Sequence, residues 1–121
     1  MQQVFGGFAN KPWEGPIPGK YVEDNKGFLF SLTKNTFHMI WKNFSNAYAM
    51  NGYYGPCFGG GIDLFIYDEA NKVKKSSSKL GHTYFLSPEK IGEASTYLAG
   101  EATFCLEEIE VFNVVMSTPG V

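Results

Sequence analysis

Apolar residues crowd the stretch KGFLFSL at 26–32, where Phe28, Leu29, Phe30 and Leu32 leave almost no polar alternation. A strand with one wet face alternates, so this density predicts a strand buried on both sides. Residues 3–8 (QVFGGF) predict a shorter strand before it. Residues 10–20 (NKPWEGPIPGK), with three prolines and two glycines, predict a loop anchored by Trp13. Residues 36–41 alternate and predict the next strand, with Lys34 and Asn35 in the connecting turn. Residues 46–50 suit either a strand or a short helix, and Asn51-Gly52 is a hairpin signal. Residues 62–67 place Ile62, Leu64 and Ile66 on one face of a strand and Asp63, Phe65 and Tyr67 on the other. A short strand is predicted at 82–86. A last one is predicted at 108–115, with Ile109 and Val111 opposite Phe112 and Val114.

Two glycine runs punctuate this pattern, Gly6-Gly7 and Gly59-Gly60-Gly61. Each is flanked by large apolar residues, which marks it as buried structure where backbone or side chains approach closely. Residues 68–79 (DEANKVKKSSSK) read as a solvated polar loop in preference to a basic binding patch. Ser87-Pro88-Glu89 has the order of a helix start: a capping hydroxyl, a proline at the first position and an acid near the positive end of the dipole. Gly92 ends that helix near Glu93, and 95–99 is predicted extended. The sum is one mainly β domain over residues 1–121 with few short helices.

Composition narrows the function classes. The chain has 10 basic residues, all lysine, and a net charge of −2. Without the guanidinium fork, bidentate reading of phosphate or guanine is lost, which argues against nucleic acid. Two cysteines, Cys57 and Cys105, lack C-x-x-C spacing and are too few for a secreted disulfide scaffold. With neither a membrane-length apolar run nor a signal pattern, the expectation is a cytoplasmic protein with reduced thiols and no membrane insertion.

The candidate chemistry is sparse. His38 and His82 lack the spacing of a zinc pair and read as structural or surface histidines. Asp68, Glu69 and Asn71 do not fill a calcium loop, and the triple glycine is not followed by the Lys-Ser/Thr of a phosphate loop. Cys57 and Cys105 have no sequence-adjacent cation to lower a thiol pKa, so they read as inert before they read as redox-active. Asp63 suits hydrogen bonding to the turn backbone, with partner recognition as the second reading. Trp13, Tyr53 and Tyr54 either lid the ends of the domain or serve as exposed anchors for a protein or sugar. No catalytic, metal or cofactor set emerges.

VFGGF, Trp13-Glu14, GFLFSL, Tyr54-Gly55-Pro56 running into FGGGIDLFI, YLAGEATF and EEIEVFNV, in that order, together resemble a TLDc domain, most closely those of protists. The resemblance implies two antiparallel sheets packed as a β-sandwich with small peripheral helices. It turns the Ser87 region toward a loop or single helical turn before a strand. It also implies a non-enzymatic protein-interaction domain linked to oxidative-stress resistance and to regulation of the vacuolar proton-pumping ATPase. A thiol peroxidase using Cys57 or Cys105, and a carbohydrate-binding sandwich using Trp13, Tyr53 and Tyr54, are the alternatives. Family members usually carry a further helix and strand ahead of VFGGF, so the sequence is expected to be a fragment or a natively short domain. The edge from Val4 to Phe8 is then expected to pair with a second copy, as a homodimer, or to be covered by another segment.

Overall fold

The computed structural model describes residues 2–11, 20–51 and 55–112. Among the described residues eight strands form two antiparallel sheets. The first contains β1 (Phe5–Phe8), β2 (Phe28–Ser31) and β3 (Thr36–Met39). The second contains β4 (Tyr48–Asn51), β5 (Gly55–Phe58), β6 (Leu64–Phe65), β7 (Ser76–Ser78) and β8 (Thr103–Phe104). Two 3₁₀ segments, Phe44–Asn46 and Pro88–Glu93, are the only helical elements among the described residues. The mainly β sandwich expected from the sequence is what forms.

Register decides which side chains meet. In the first sheet Gly7, Leu29 and His38 lie across from one another, as do Phe5, Ser31 and Thr36. This set faces inward, and Leu29, Ser31 and His38 are buried. From the second sheet, Tyr48, Phe58, Leu64 and Phe104 face them as part of one core with Tyr84, Leu86, Tyr97 and Leu98. At Gly7 a side chain of the second sheet packs against the first. A methyl group there would stand 2.5 Å from Phe58 Cζ and 2.8 Å from Leu29 Cδ2, so any side chain at this position would push both from their places. Phe5 meets Phe104 edge-on at 5.5 Å, joining the two sheets at the other end of β1.

Several expectations are corrected. Ile62 does not begin a strand: its φ of 59° places it in the turn closed by its N–H on the Gly59 carbonyl. The apolar alternation at 62–67 therefore shrinks to Leu64–Phe65. The strand at Gly55–Phe58 was hidden because Gly-Pro reads as a turn, and proline is unusual within a sheet. The polar loop expected at 68–79 contains β7, made only of serines. Tertiary bonds override their weak strand preference: Ser78 Oγ donates to the Asp63 carbonyl at 2.6 Å, and Ser76 Oγ accepts from Tyr67 N–H at 3.0 Å. The strand expected at 82–86 reduces to a bridge between Tyr84 and Ile40. Residues 95–99 are a chain of turns, with Thr96 N–H on the Glu93 carbonyl and Gly100 N–H on that of Thr96, and β8 follows them. The ambiguity at 46–50 resolves as both, a 3₁₀ turn and then β4. Residues 108–112 form no strand. Gly52 of the expected hairpin turn lies outside the described residues, although Asn51 and Gly55 pair at its mouth.

Candidate protein-docking surface

The strand expected to be buried on both faces is covered on only one. Phe30 lies between Gly6 and Phe37, and Phe28 between Phe8 and Met39, all on the side of the first sheet away from the core. Beyond β3, Phe85 N–H donates to the Met39 carbonyl at 2.7 Å and Trp41 N–H to the Thr83 carbonyl at 3.0 Å, so Trp41 and Phe85 extend the same face. Their rings meet edge-on at 5.6 Å. Val4, Leu32, Phe37, Met39, Trp41 and Phe85 are each between 41% and 63% exposed. At roughly 150–250 Å² per large aromatic side chain, the face presents on the order of 600 Å² of apolar surface. That sits at the top of the range for the largest patch on a monomer, about 300–600 Å², and approaches the ~800 Å² per partner of a standard interface. The aromatic rings are braced: Phe8 stacks on Phe28 at 5.2 Å, Phe28 meets Phe37 at 5.6 Å, and Lys42 Nζ sits 4.6 Å from the Trp41 ring centroid. Rigid, exposed aromatics lose little entropy on binding, which suits them as anchors.

Asp63 has a different task from the partner contact proposed for it as a second reading. It is fully buried beneath the triple-glycine turn, where Oδ2 accepts the Thr83 and Tyr84 N–H groups, each at 3.0 Å. Among the described residues its Oδ1 has no hydrogen-bond partner; it faces Gly59, where φ is 89° and a methyl group would stand 2.0 Å from it. Gly60 N–H donates to Thr83 Oγ1 at 3.1 Å, and Gly61 packs against the His82 ring. The glycines thus wrap a carboxylate that fastens the 82–84 segment. Gly6 lies under the Phe30 ring, and a methyl there would stand 2.8 Å from its Cζ. Burial pushes the Asp63 carboxyl above its ordinary range, working against the two N–H bonds and the nearby His82.

His38 is buried and satisfied: Nδ1–H donates to the Phe85 carbonyl at 2.9 Å, which leaves Nε2 to accept from Thr36 Oγ1 at 3.0 Å. Burial holds its pKa below the ordinary value, against the bond to Phe85 and with Lys34 adding to the fall. His82 touches Thr83 Oγ1 at 3.1 Å. Cys57 is buried and Cys105 exposed, and both are free thiols. Burial pushes the Cys57 thiol up, beyond what the Tyr21 hydroxyl at 3.9 Å offsets, and the Asp63 carboxylate adds to the rise. Among the described residues no cluster of His, Cys, Asp or Glu could hold a metal, and no helix is long and apolar enough to cross a membrane. Trp13, Tyr53 and Tyr54 lie outside the described residues. Sequence reasoning missed the exposed face, although the dense apolar pattern at 28–32 was its signal.

Comparison with known families agrees with this architecture. The TLDc domain family matches residues 1–115. The chain belongs to the TLDc family. The match runs from β1 through β8 and takes in the exposed apolar face of the first sheet, the triple-glycine turn and Asp63. No curated protein and no solved structure matches the chain. Within this TLDc domain the glycine turn and its carboxylate form a structural hub, while the first sheet turns an apolar face outward.

Proposed function

We propose that this TLDc domain is a non-enzymatic protein-interaction module that binds its partner through the outer face of the first sheet. One observation carries the reading: β2 has the composition of a doubly buried strand, yet Leu32, Phe37, Met39, Trp41 and Phe85 stand exposed on a continuous surface. Burying it against a partner releases water from apolar area, the main favourable term in association. By its family resemblance the partner is the vacuolar proton-pumping ATPase, and the physiological outcome is resistance to oxidative stress from within the cytoplasm. Binding one assembly state of the pump more tightly shifts its equilibrium without any bond-making by the domain.

The test is titration into purified vacuolar ATPase, reading ATP hydrolysis and the ratio of assembled to dissociated complex. A saturable change is expected. Phe37→Ser combined with Trp41→Ser is expected to weaken it at least tenfold, because aromatic anchors at an interface centre each contribute about 2 kcal/mol or more. The domain itself should stay folded, since both side chains are on the surface. An unchanged response with this double variant would remove the face from the mechanism.

The thiol chemistry gives a separate prediction. A reactive cysteine needs a lowered pKa, and Cys57 is driven the other way by burial. Peroxide consumption is expected to be indistinguishable from buffer for the parent chain and for the Cys57→Ser and Cys105→Ser variants. Consumption that one of these substitutions abolishes would replace the interaction reading with a peroxidase.

A further inference from the structure

We propose that the cleft between residues 79–82 and the 3₁₀ segment Pro88–Glu93 binds a small aliphatic carboxylate. Its alkyl part would lie among Leu80, Ile91 and Ala94, and its charge would meet Lys79, His82 and Gly61. None of these residues belongs to the apolar face of the first sheet, so the proposal stands independently of the partner proposed above.

The cleft has a volume of about 390 Å³, within the roughly 300–1,000 Å³ of small-molecule sites. Its apolar side is built into the fold. Leu80 and Ala94 are buried, and Leu80 N–H donates to the Ala94 carbonyl at 3.2 Å, which ties the two walls together. Ile91 lines the same cleft and is 58% exposed, so an alkyl chain seated there would remove apolar area from water. At Gly81, where φ is 112°, a methyl group would stand 2.9 Å from Ile91 Cδ1, and its absence leaves Ile91 in place.

The polar side carries three donor groups that the fold leaves unused. Among the described residues Lys79 makes no ion pair, whereas Lys74 and Lys90 are paired with Glu101 and Glu93. Gly61 N–H has no acceptor among the described residues. The third donor is His82, whose tautomer follows from its neighbours. Thr83 Oγ1 accepts from Gly60 N–H at 3.1 Å and lies 3.1 Å from His82 Nδ1. Asn43 Nδ2, which can only donate, lies 3.5 Å from the same nitrogen. Nδ1 is therefore an acceptor, and the hydrogen of the neutral ring sits on Nε2, which has no partner among the described residues.

Charge selects the ligand. Among the described residues no acid lines the cleft. Asp63 is fully buried beneath the glycine turn, and Glu93, next to Ala94, is paired with Lys90 at 3.6 Å. An ammonium and two N–H donors beside an apolar wall complement an anion that carries an alkyl tail. Phosphate fits less well, because the turn already commits Gly59 N–H to the Ala47 carbonyl and Gly60 N–H to Thr83 Oγ1. One backbone donor remains, where phosphate cradles use several in succession. A peptide end fits less well because no strand lines the cleft to hold its backbone.

The experiment is an NMR titration of hexanoate into the chain. Trp41 Nε1–H donates to the Gly81 carbonyl at 3.2 Å, so the indole N–H reports on this segment beside the Gly61 and Gly81 amides and the Ile91 methyl groups. Saturable shifts are expected at these positions. Lys79→Ala, at an exposed side chain, is expected to raise the dissociation constant about tenfold, as for loss of one charge-assisted hydrogen bond. Ile91→Asp, also on the surface, is expected to abolish saturation. Hexylammonium, with the same tail and the opposite charge, is expected to leave the spectrum unmoved. No saturable shift at millimolar hexanoate overturns the proposal, as does equal binding of hexylammonium or hexanol. A dissociation constant that Lys79→Ala leaves unchanged overturns it too. A tetrapeptide ending in leucine that binds more tightly than hexanoate would reassign the cleft to a peptide end and overturn it equally.

Discussion

Asp63→Ala is expected to lower the unfolding free energy by about 2–6 kcal/mol, the cost of leaving two buried N–H groups without acceptors at about 1–3 kcal/mol each. The orphaned donors would be those of Thr83 and Tyr84, both fully buried. For a domain of this size that is a large part of a total of about 5–15 kcal/mol. The melting midpoint is expected to fall by on the order of 15 °C, and thermal unfolding followed by circular dichroism would show it. Asp63→Asn should behave differently. It keeps an acceptor oxygen for the two N–H groups while removing a charge that burial disfavours. Because the folded carboxyl has a raised pKa, the native state holds this proton more tightly than the unfolded chain. Its contribution to stability is therefore full below the unfolded value, near about 4, and is lost as pH rises through the folded value. Asp24 acts with the opposite sign. Burial works to raise its pKa, but the Tyr48 hydroxyl at 2.7 Å and backbone N–H groups, including that of Lys26, hold it low. The informative quantity is thus the difference between parent and Asp63→Asn across acid to neutral pH. That difference should move in favour of Asn as pH rises. A flat difference would mean that Asp63 has no raised pKa.

Gly59→Ala is the second large effect, with an expected loss of about 3 kcal/mol. A non-glycine residue at φ 89° pays about 1–2 kcal/mol for its backbone alone. Its methyl group would also be driven into Asp63 Oδ1, an atom held in place by its neighbour's two hydrogen bonds. The two substitutions thus probe one contact. In the Asp63→Ala background the obstructing oxygen is gone, so Gly59→Ala should cost about 1–2 kcal/mol less than in the parent. Denaturant unfolding of the parent, the two single variants and the double variant closes this cycle. Strict additivity would show that the turn and the carboxylate are not coupled.

How much of this was legible in the sequence depends on which interactions set each element. β2 and β3 follow from local apolar patterning, and the structure places them at Phe28–Ser31 and Thr36–Met39, inside the predicted ranges. The Ser87-Pro88-Glu89 signal found its helix as well, as a 3₁₀ segment starting at Pro88. β7 was illegible because its reason for existing lies elsewhere: serines become strand when Asp63 and Tyr67 supply partners for their hydroxyls. The Ile62 error had a similar origin. Alternation cannot reveal a left-handed residue that a turn, closed onto Gly59, requires. Asp63 was read as bonding the backbone of the adjacent turn, but its carboxylate accepts instead from Thr83 and Tyr84, about twenty residues away, which had no local trace. The exposed apolar face had its signal in the density of Phe28, Leu29, Phe30 and Leu32, read in the sequence as burial on both sides.

Both sheets follow chain order, β1-β2-β3 and β4-β5-β6-β7-β8, so every strand pairs with its sequence neighbour. Most of these pairings close short connections, those from β1 to β2 and from β7 to β8 being the long ones, and none needs the crossovers of slower-folding sandwiches. During synthesis the first sheet can zip while the second is still being made. What remains is the join, where the Phe58 ring enters the space left open by Gly7. The late event in folding this domain is therefore expected to be the meeting of two finished layers, governed by a ring and a missing side chain.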